Sequence, residues 1–206
     1  LHAVLAAAPD LADFNGVALI MFADTPLVTA DTLTHLASSI DATTSVAVLG
    51  FETADPHGYG RLVIDNNGQL TRIVEDKDAN DDEQRITLVN GGIMAVRCPL
   101  LFDLLDQVQP NSKNGEIYLT DIIALANQNG HKVTCQLADE AEIAGVNDRA
   151  DLAQLEAILQ RRLRHAAMEH GATLIAPDTV FLSADTIVGC DVIIEPHVVI
   201  GPNTNI

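Results

Sequence analysis

The 206-residue chain has no tryptophan, and aromatic residues make up only 3% of it. With 48% hydrophobic residues but few rings, its core must be aliphatic, and the length suffices for at least one sizeable core. Positive charge is equally scarce: 11 Lys and Arg face 29 Asp and Glu, a formal net charge of −18. Such a surface repels nucleic-acid phosphates and anionic lipid head groups, so neither nucleic acid nor a membrane is expected as a partner. Cysteine is limited to Cys98, Cys135 and Cys190, scattered and without C-x-x-C spacing. That offers neither a disulfide framework nor a zinc site, and it suits a reducing cytoplasm. Long hydrophobic runs are missing too. Residues 17–23 are far too few to span a bilayer, and the apolar residues 1–8 lack a basic flank, so no targeting or membrane segment is expected. The seven histidines show no metal-ligand spacing, and no G-x-S-x-G, P-loop or zinc-protease motif occurs.

What the chain does have is alternation of element types. Up to about residue 146, β-rich runs at 17–22, 45–49, 61–64, 70–74, 93–96 and 133–136 alternate with helical spacing at 30–40, 99–108 and 118–127. This order predicts an α/β domain with a mainly parallel sheet. Asn66-Asn67-Gly68 sits between two alternating segments and predicts a hairpin grafted onto that sheet.

A different regime follows. The run "NDRADLAQLEAILQRRLRHAAMEHG" contains no Pro and no Gly before Gly171, with Leu152, Leu155, Leu159 and Leu163 along one stripe. It predicts a long connecting helix with Asn147 or Asp148 as cap, with Arg161, Arg162, Arg164 and His165 complementing its C-terminal half, and with Gly171 as terminator. Beyond Gly171 the period becomes six: Leu182, Val188, Ile194, Ile200 and Ile206 form one row, and Val180, Thr186, Val192, Val198 and Thr204 a second. An ordinary strand pair predicts period two, whereas hexapeptide repeats describe a β-helix whose triangular coils use three hexads each.

Asp24 ends the apolar stretch "VALIMFAD", where a parallel strand would deliver its last residue to the ligand-binding carboxyl edge of the sheet. On placement alone it serves equally as a turn aspartate. Asp31 is the more natural cap for the next helix, which leaves Asp24 free to hold a ligand. Further candidates are "GYGR" (58–61), "IVEDKDA" (73–79), "VNGGI" (89–93), "GEIYLTD" (115–121) and "AGVND" (144–148). Each is weak alone: Gly-Tyr-Gly is a common turn, Asn90 suits a turn before two glycines, and the acidic run 75–83 suits a solvated loop. Glu75 stands apart because it directly follows an apolar strand.

Taken in order, these motifs, a long helix and hexapeptide repeats closely resemble the bacterial bifunctional N-acetylglucosamine-1-phosphate uridyltransferase/glucosamine-1-phosphate acetyltransferases, over nearly the whole chain. The resemblance implies a Rossmann-like nucleotidyltransferase domain over 1–146 with a mostly parallel mixed sheet. It implies a linker helix over 147–171, and over 172–206 the first coil of a left-handed parallel β-helix. It further implies that Asp24 and Asn147 hold a catalytic Mg²⁺, a cation that takes few protein ligands and fills its shell with phosphate and water. Phe22 and Ala23 would line the nucleotide side, and Gly60, Glu75 and Asn90 would contact the sugar of UDP-N-acetylglucosamine. The implied reaction is attack by a phosphate oxygen of N-acetylglucosamine 1-phosphate on the α-phosphorus of UTP, with pyrophosphate leaving and no protein nucleophile. Its product feeds peptidoglycan and lipopolysaccharide synthesis in the cytoplasm.

Three departures qualify the resemblance. The family's Gly-rich phosphate loop and uracil-binding segment have no counterpart here, so little turnover is expected of this chain alone and its sheet is expected to be incomplete. Most of the hexapeptide domain, which in the family binds acetyl-CoA and glucosamine 1-phosphate and assembles the homotrimer, is absent as well. Ala23 replaces a usual glycine, and Ile117 a frequent aromatic. Two other readings stay open: another sugar-1-phosphate nucleotidyltransferase with a hexapeptide tail, and a non-catalytic trimerising module that binds a sugar phosphate.

Overall fold

The computed structural model describes residues 1–111 and 115–206 and divides into two compact units, Leu1–Ile143 and Ala144–Ile206. In the first, the short helix α1 (His2–Leu5) precedes β1 (Val17–Ile20), α2 (Ala30–Ser38) and β2 (Thr44–Glu52). A hairpin of β3 (Arg61–Ile64) and β4 (Leu70–Val74) leads to β5 (Leu88–Arg97), then α3 (Cys98–Leu105), α4 (Asp121–Gln128), β6 (Lys132–Leu137) and α5 (Glu140–Ile143). The sheet runs β4-β3-β5-β2-β6, and β1 lies on the same edge of β5 as β3.

Alternation along the central strands sorts the core. Val46, Val48, Met94 and Val96 pack on one face with Leu101 and Leu104 of α3 and Ile122 and Ile123 of α4. Ala47, Leu49, Phe51, Ile93 and Ala95 pack on the other with Leu36 of α2 and Ile143 of α5. A strand covered on both sides reads as an unbroken apolar run, and such runs suggest parallel neighbours. Here that inference fails. Among the described pairings of this sheet only β2 with β6 is parallel, while β5 runs antiparallel to β1, β2 and β3, so the sheet is mixed but not mostly parallel. Hydrophobic periodicity reports burial and carries no information about strand direction. The hairpin matches expectation, closed by Gly68 at φ +79 and by the Asp65 carboxylate accepting from the Asn67 and Gln69 amides.

Helix α2 is capped by Thr29, whose hydroxyl accepts from the Thr32 amide at 3.2 Å, and not by Asp31, which lies inside the first turn. The α5 residue Glu142 then bolts this end in place by accepting from the Thr32 hydroxyl at 2.6 Å.

In the second unit, α6 (Arg149–Glu169) is capped by Asp148, which accepts from the Ala150 and Asp151 amides at 2.7 and 2.9 Å. Gly171, at φ +100, follows its end. The buried positions are Leu155, Gln160, Arg164 and Ala167, and Leu163 packs against the same core, whereas Leu152 is exposed, so the packed face takes in only part of the leucine stripe and two polar side chains besides. The reason is hydrogen bonding. The Gln160 amide donates to the Leu182 carbonyl and accepts from the Leu182 N–H, and Arg164 donates to the Val180 carbonyl and to Asp178. Arg164 therefore works as an inward anchor and not as a dipole partner at the helix end. Beyond α6, β7 (Thr173–Leu174) pairs parallel with β9 (Ile193–Ile194), and β8 (Phe181–Leu182) with β10 (Val199–Ile200). Phe181 meets Val199 and Ile187 meets Asn205, each eighteen residues on, or three hexads. Val180, Leu182, Val188, Ile194 and Ile200 fill the interior, while Ile206 is exposed.

Candidate functional site: a gap beside the longest strand

The first unit concentrates its unusual backbone along β5. Leu49 opposes Ile93 but Gly50 opposes Asn90, so Gly91 and Gly92 form a bulge, a device that re-aims neighbouring side chains. The two glycines are needed for different reasons. A Cβ on Gly91 would lie 2.9 Å from the Leu49 carbonyl oxygen, while Gly92 adopts φ +73 and carries the Phe22 ring against it. Across the other edge of β5, β1 is in register with residues 94–97 and β3 only with Val89. Between those two strands the edge is left to the bulge.

Gly60 closes that gap from the β3 side. Arg61 opposes Val74 and Val89, so continuing both registers by one residue sets Gly60 opposite both Glu75 and Asn90. The Gly60 carbonyl accepts from the Asn90 N–H at 2.8 Å, and a Cβ on Gly60 would lie 3.6 Å from Glu75 Oε2 and 3.7 Å from Asn90 Cβ. A carboxylate and a carboxamide thus flank a position with no side chain. Asn90 Oδ1 accepts from the Gly92 N–H at 3.0 Å, which leaves its NH₂ as a donor. Glu75 Oε1 accepts from the buried Thr120 hydroxyl at 2.8 Å, and its other oxygen faces the gap. Thr120 was invisible as a site residue in the sequence, because nothing in "GEIYLTD" distinguishes it from its neighbours. Beside it, burial first and then the charges of Glu75 and Asp78 push the Asp121 carboxyl above its ordinary range. Farther out, Lys77 bonds to Glu116 and lies 5.5 Å over the Tyr118 ring, while Tyr118 donates to Glu116 at 2.6 Å. This ties the segment after Glu75 to the one before Thr120. The Glu116 and Tyr118 contacts push the Lys77 ammonium to a higher pKa.

Of the expected site residues, Gly60, Glu75 and Asn90 come together and Phe22 packs on the adjoining bulge. Ala23 and Asp24 lie exposed on the turn that follows Phe22, closed by the Thr25 hydroxyl donating to the Phe22 carbonyl at 3.2 Å. Asn147 lies in the second unit, where its N–H donates to Asp151 at 2.9 Å. Among the described residues no group of three or more His, Cys, Asp or Glu is placed to hold a metal ion. The Asp24 carboxylate, exposed and without a protein partner among the described residues, has the hard-oxygen chemistry that fits a Mg²⁺ completing its shell with phosphate and water. No described helix is long and apolar enough to cross a membrane.

In fold, the chain is a nucleotidyltransferase-type α/β protein. It matches a Bacillus anthracis protein named as a glucose-1-phosphate thymidylyltransferase, solved with sucrose, at a TM-score of 0.56 and 18% identity over 77% of this chain and 60% of that one. A UDP-glucose pyrophosphorylase solved with UDP-glucose matches at a TM-score of 0.52 and 21% identity, over 66% and 52%. No protein-family model matches. By sequence the chain is 49% identical over 205 residues to the bifunctional protein GlmU of Xanthobacter autotrophicus, covering all of this chain and 46% of that protein. The Maricaulis maris GlmU is 50% identical over 185 residues, 90% of this chain and 41% of that protein. Over 90% or more of its length the chain is thus similar to a part of these bifunctional GlmU proteins, and it spans less than half the length of these curated relatives.

Proposed function

We propose that the gap between Glu75 and Asn90 receives the sugar of N-acetylglucosamine 1-phosphate, and that the reaction served is UMP transfer from UTP, giving UDP-N-acetylglucosamine and pyrophosphate. A phosphate oxygen of the sugar phosphate bonds to the α-phosphorus of UTP as the bond to pyrophosphate breaks, so catalysis rests on positioning and charge and needs no protein nucleophile. The observation that carries this reading is the cross-strand row in which Gly60 stands bare between Glu75 and Asn90. Glu75 accepts from a sugar hydroxyl or the acetamide N–H, Asn90 donates to a sugar or acetamide oxygen, and Gly60 lets the ring approach the backbone. Phe22 and Ala23 line the nucleotide side. Asp24 would hold Mg²⁺, which when bound neutralises phosphate charge.

In this reading 147–171 is a linker helix and 172–206 the first coil of a left-handed parallel β-helix, supported by the parallel pairing eighteen residues apart. Acetyl-CoA and glucosamine 1-phosphate belong to the acetyl-transfer activity of the full-length family, and no residue here is assigned to them. The setting is the cytoplasm.

The proposal concerns the sugar half of the site, so binding is the test. Ligand-observed NMR with N-acetylglucosamine 1-phosphate beside glucose 1-phosphate, with and without Mg²⁺, should show selective binding of the acetamido sugar. Glu75→Gln and Asn90→Ala should each weaken it at least about tenfold, the equivalent of about 1.4 kcal/mol. Equal binding of the two sugars, or full binding by folded variants, overturns the reading.

A further inference from the structure

Among the described residues Arg61 is the bulkiest fully buried side chain, 2% exposed, although it adjoins the candidate site residue Gly60 and carries a charge. Its guanidinium donates to the Tyr59 carbonyl and, at 2.7 Å, to Asp76 Oδ1. The second Asp76 oxygen accepts from the Gly58 N–H at 3.0 Å. Arg61 Nε has no partner among the described residues, so the buried cation is held with one of its donors unsatisfied. A guanidinium kept out of water on those terms is a poor source of stability, since an apolar side chain of similar volume serves a core at least as well. It does have geometric reach: one fork joins the loop before Gly60 to the residue after Glu75.

We infer that the Arg61–Asp76 pair is a positioning device that sets how far Gly60 stands from Glu75 and Asn90, and so tunes affinity for the acetamido sugar phosphate. The inference rests on the proposed sugar site. Gly60 and Glu75 oppose each other across β3 and β4, and Arg61 and Asp76 are their immediate chain neighbours. Arg61 and Asp76 line a separate cleft of about 420 Å³ with His57, Lys77 and Gln84, so the pair acts on the site through the backbone and without touching the ligand. Tyr59 is braced from another side by an edge-on contact with the buried Phe51, ring centroids 5.1 Å apart. With both ends of the Gly58–Gly60 loop fixed, little freedom remains in the segment that carries the gap. Such preorganisation raises affinity by reducing what must be ordered on binding.

The test compares the wild-type chain with Asp76→Asn, and with Arg61→Lys, which keeps the buried charge but replaces a planar fork by a single ammonium. Three readouts are needed: thermal unfolding, the backbone amide shifts of Gly60 and Asn90, and the affinity for N-acetylglucosamine 1-phosphate. The expected result is that at least one variant stays folded, displaces both amide signals, and binds the sugar phosphate at least about tenfold more weakly. A folded variant with unmoved Gly60 and Asn90 signals, or with displaced signals and unchanged affinity, overturns the inference. Should the wild-type chain bind no sugar phosphate, the sugar reading fails by that result alone. The amide signals then decide for or against the pair as the element that sets Gly60.

Discussion

Gly60 shows how much can depend on a side chain that is not there. A methyl group at this position would stand 2.9 Å from Ile73 Cγ2, a buried side chain, and would project between Glu75 Oε2 and Asn90. Gly60→Ala should therefore cost about 1–3 kcal/mol of stability through overpacking. It should also weaken sugar-phosphate binding beyond that loss of fold, which denaturant unfolding and NMR titration read separately. Asp121 is a second residue whose surroundings fix the sign of an effect. It lies in the first turn of α4, where the helix N-terminus favours its charge. Burial and the neighbouring carboxylates nevertheless raise its pKa. The folded carboxyl keeps its proton to higher pH than the unfolded one, so stability falls as pH rises through that window and the penalty is complete at neutrality. Asp121→Asn should be the more stable protein at pH 7, by less than about 1 kcal/mol given its partial exposure, with the gain vanishing near about pH 3. Urea midpoints across pH check this, and a variant less stable at pH 7 contradicts it. At this scale the sequence named Gly60, Glu75 and Asn90 through their motifs. Thr120 and the buried state of Arg61 stayed hidden, because both depend on contacts between strands far apart in the chain.

At the scale of elements, the boundaries of β3 and β4 agree with the alternating pattern, since the Asn-Asn-Gly turn leaves one register to choose. Helix α6 is the opposite case. Its packed face includes Gln160 and Arg164, which no hydrophobic pattern would select, and its leucine stripe is partly exposed. Both polar side chains satisfy backbone groups around β8 that would otherwise be buried without partners. Removing one such side chain leaves those groups orphaned, at about 1–3 kcal/mol each. Gln160→Ala should therefore destabilise the second unit by roughly 2–6 kcal/mol by that accounting, more than Leu152→Ala, which removes an exposed side chain. Amide exchange at Leu182 reads the loss directly, and equal unfolding midpoints for the two variants would count against it.

At the scale of the whole molecule, a third period-six row appears on the outside. Ile175, Phe181, Ile187, Ile193 and Val199 are all exposed, between 46 and 76%. Apolar surface repeated at this spacing invites other chains, and it supports the homotrimer proposed for the family's assembly. Sedimentation of the chain should show self-association that Ile187→Glu with Ile193→Glu abolishes; a monomer at all concentrations would sink the trimer reading for this chain. The net charge of −18 works against close assembly, so association should strengthen with added salt.

By itself the sequence determined the class of architecture, the hairpin, the capped long helix, the sixfold repeat and, through motif order, a short list of candidate site residues. Each of these is a local property, fixed by side-chain period, turn chemistry or motif order within one stretch of chain. Only the tertiary structure decided the direction of β5, the bulge at Gly91-Gly92, the inward turn of Gln160 and Arg164, and the meeting of Glu75, Gly60 and Asn90 across three strands. Those outcomes depend on which segments pair, and register between distant strands is set by the burial of whole faces together. The same hydrophobic run serves a parallel or an antiparallel neighbour equally well. The packed core makes the choice.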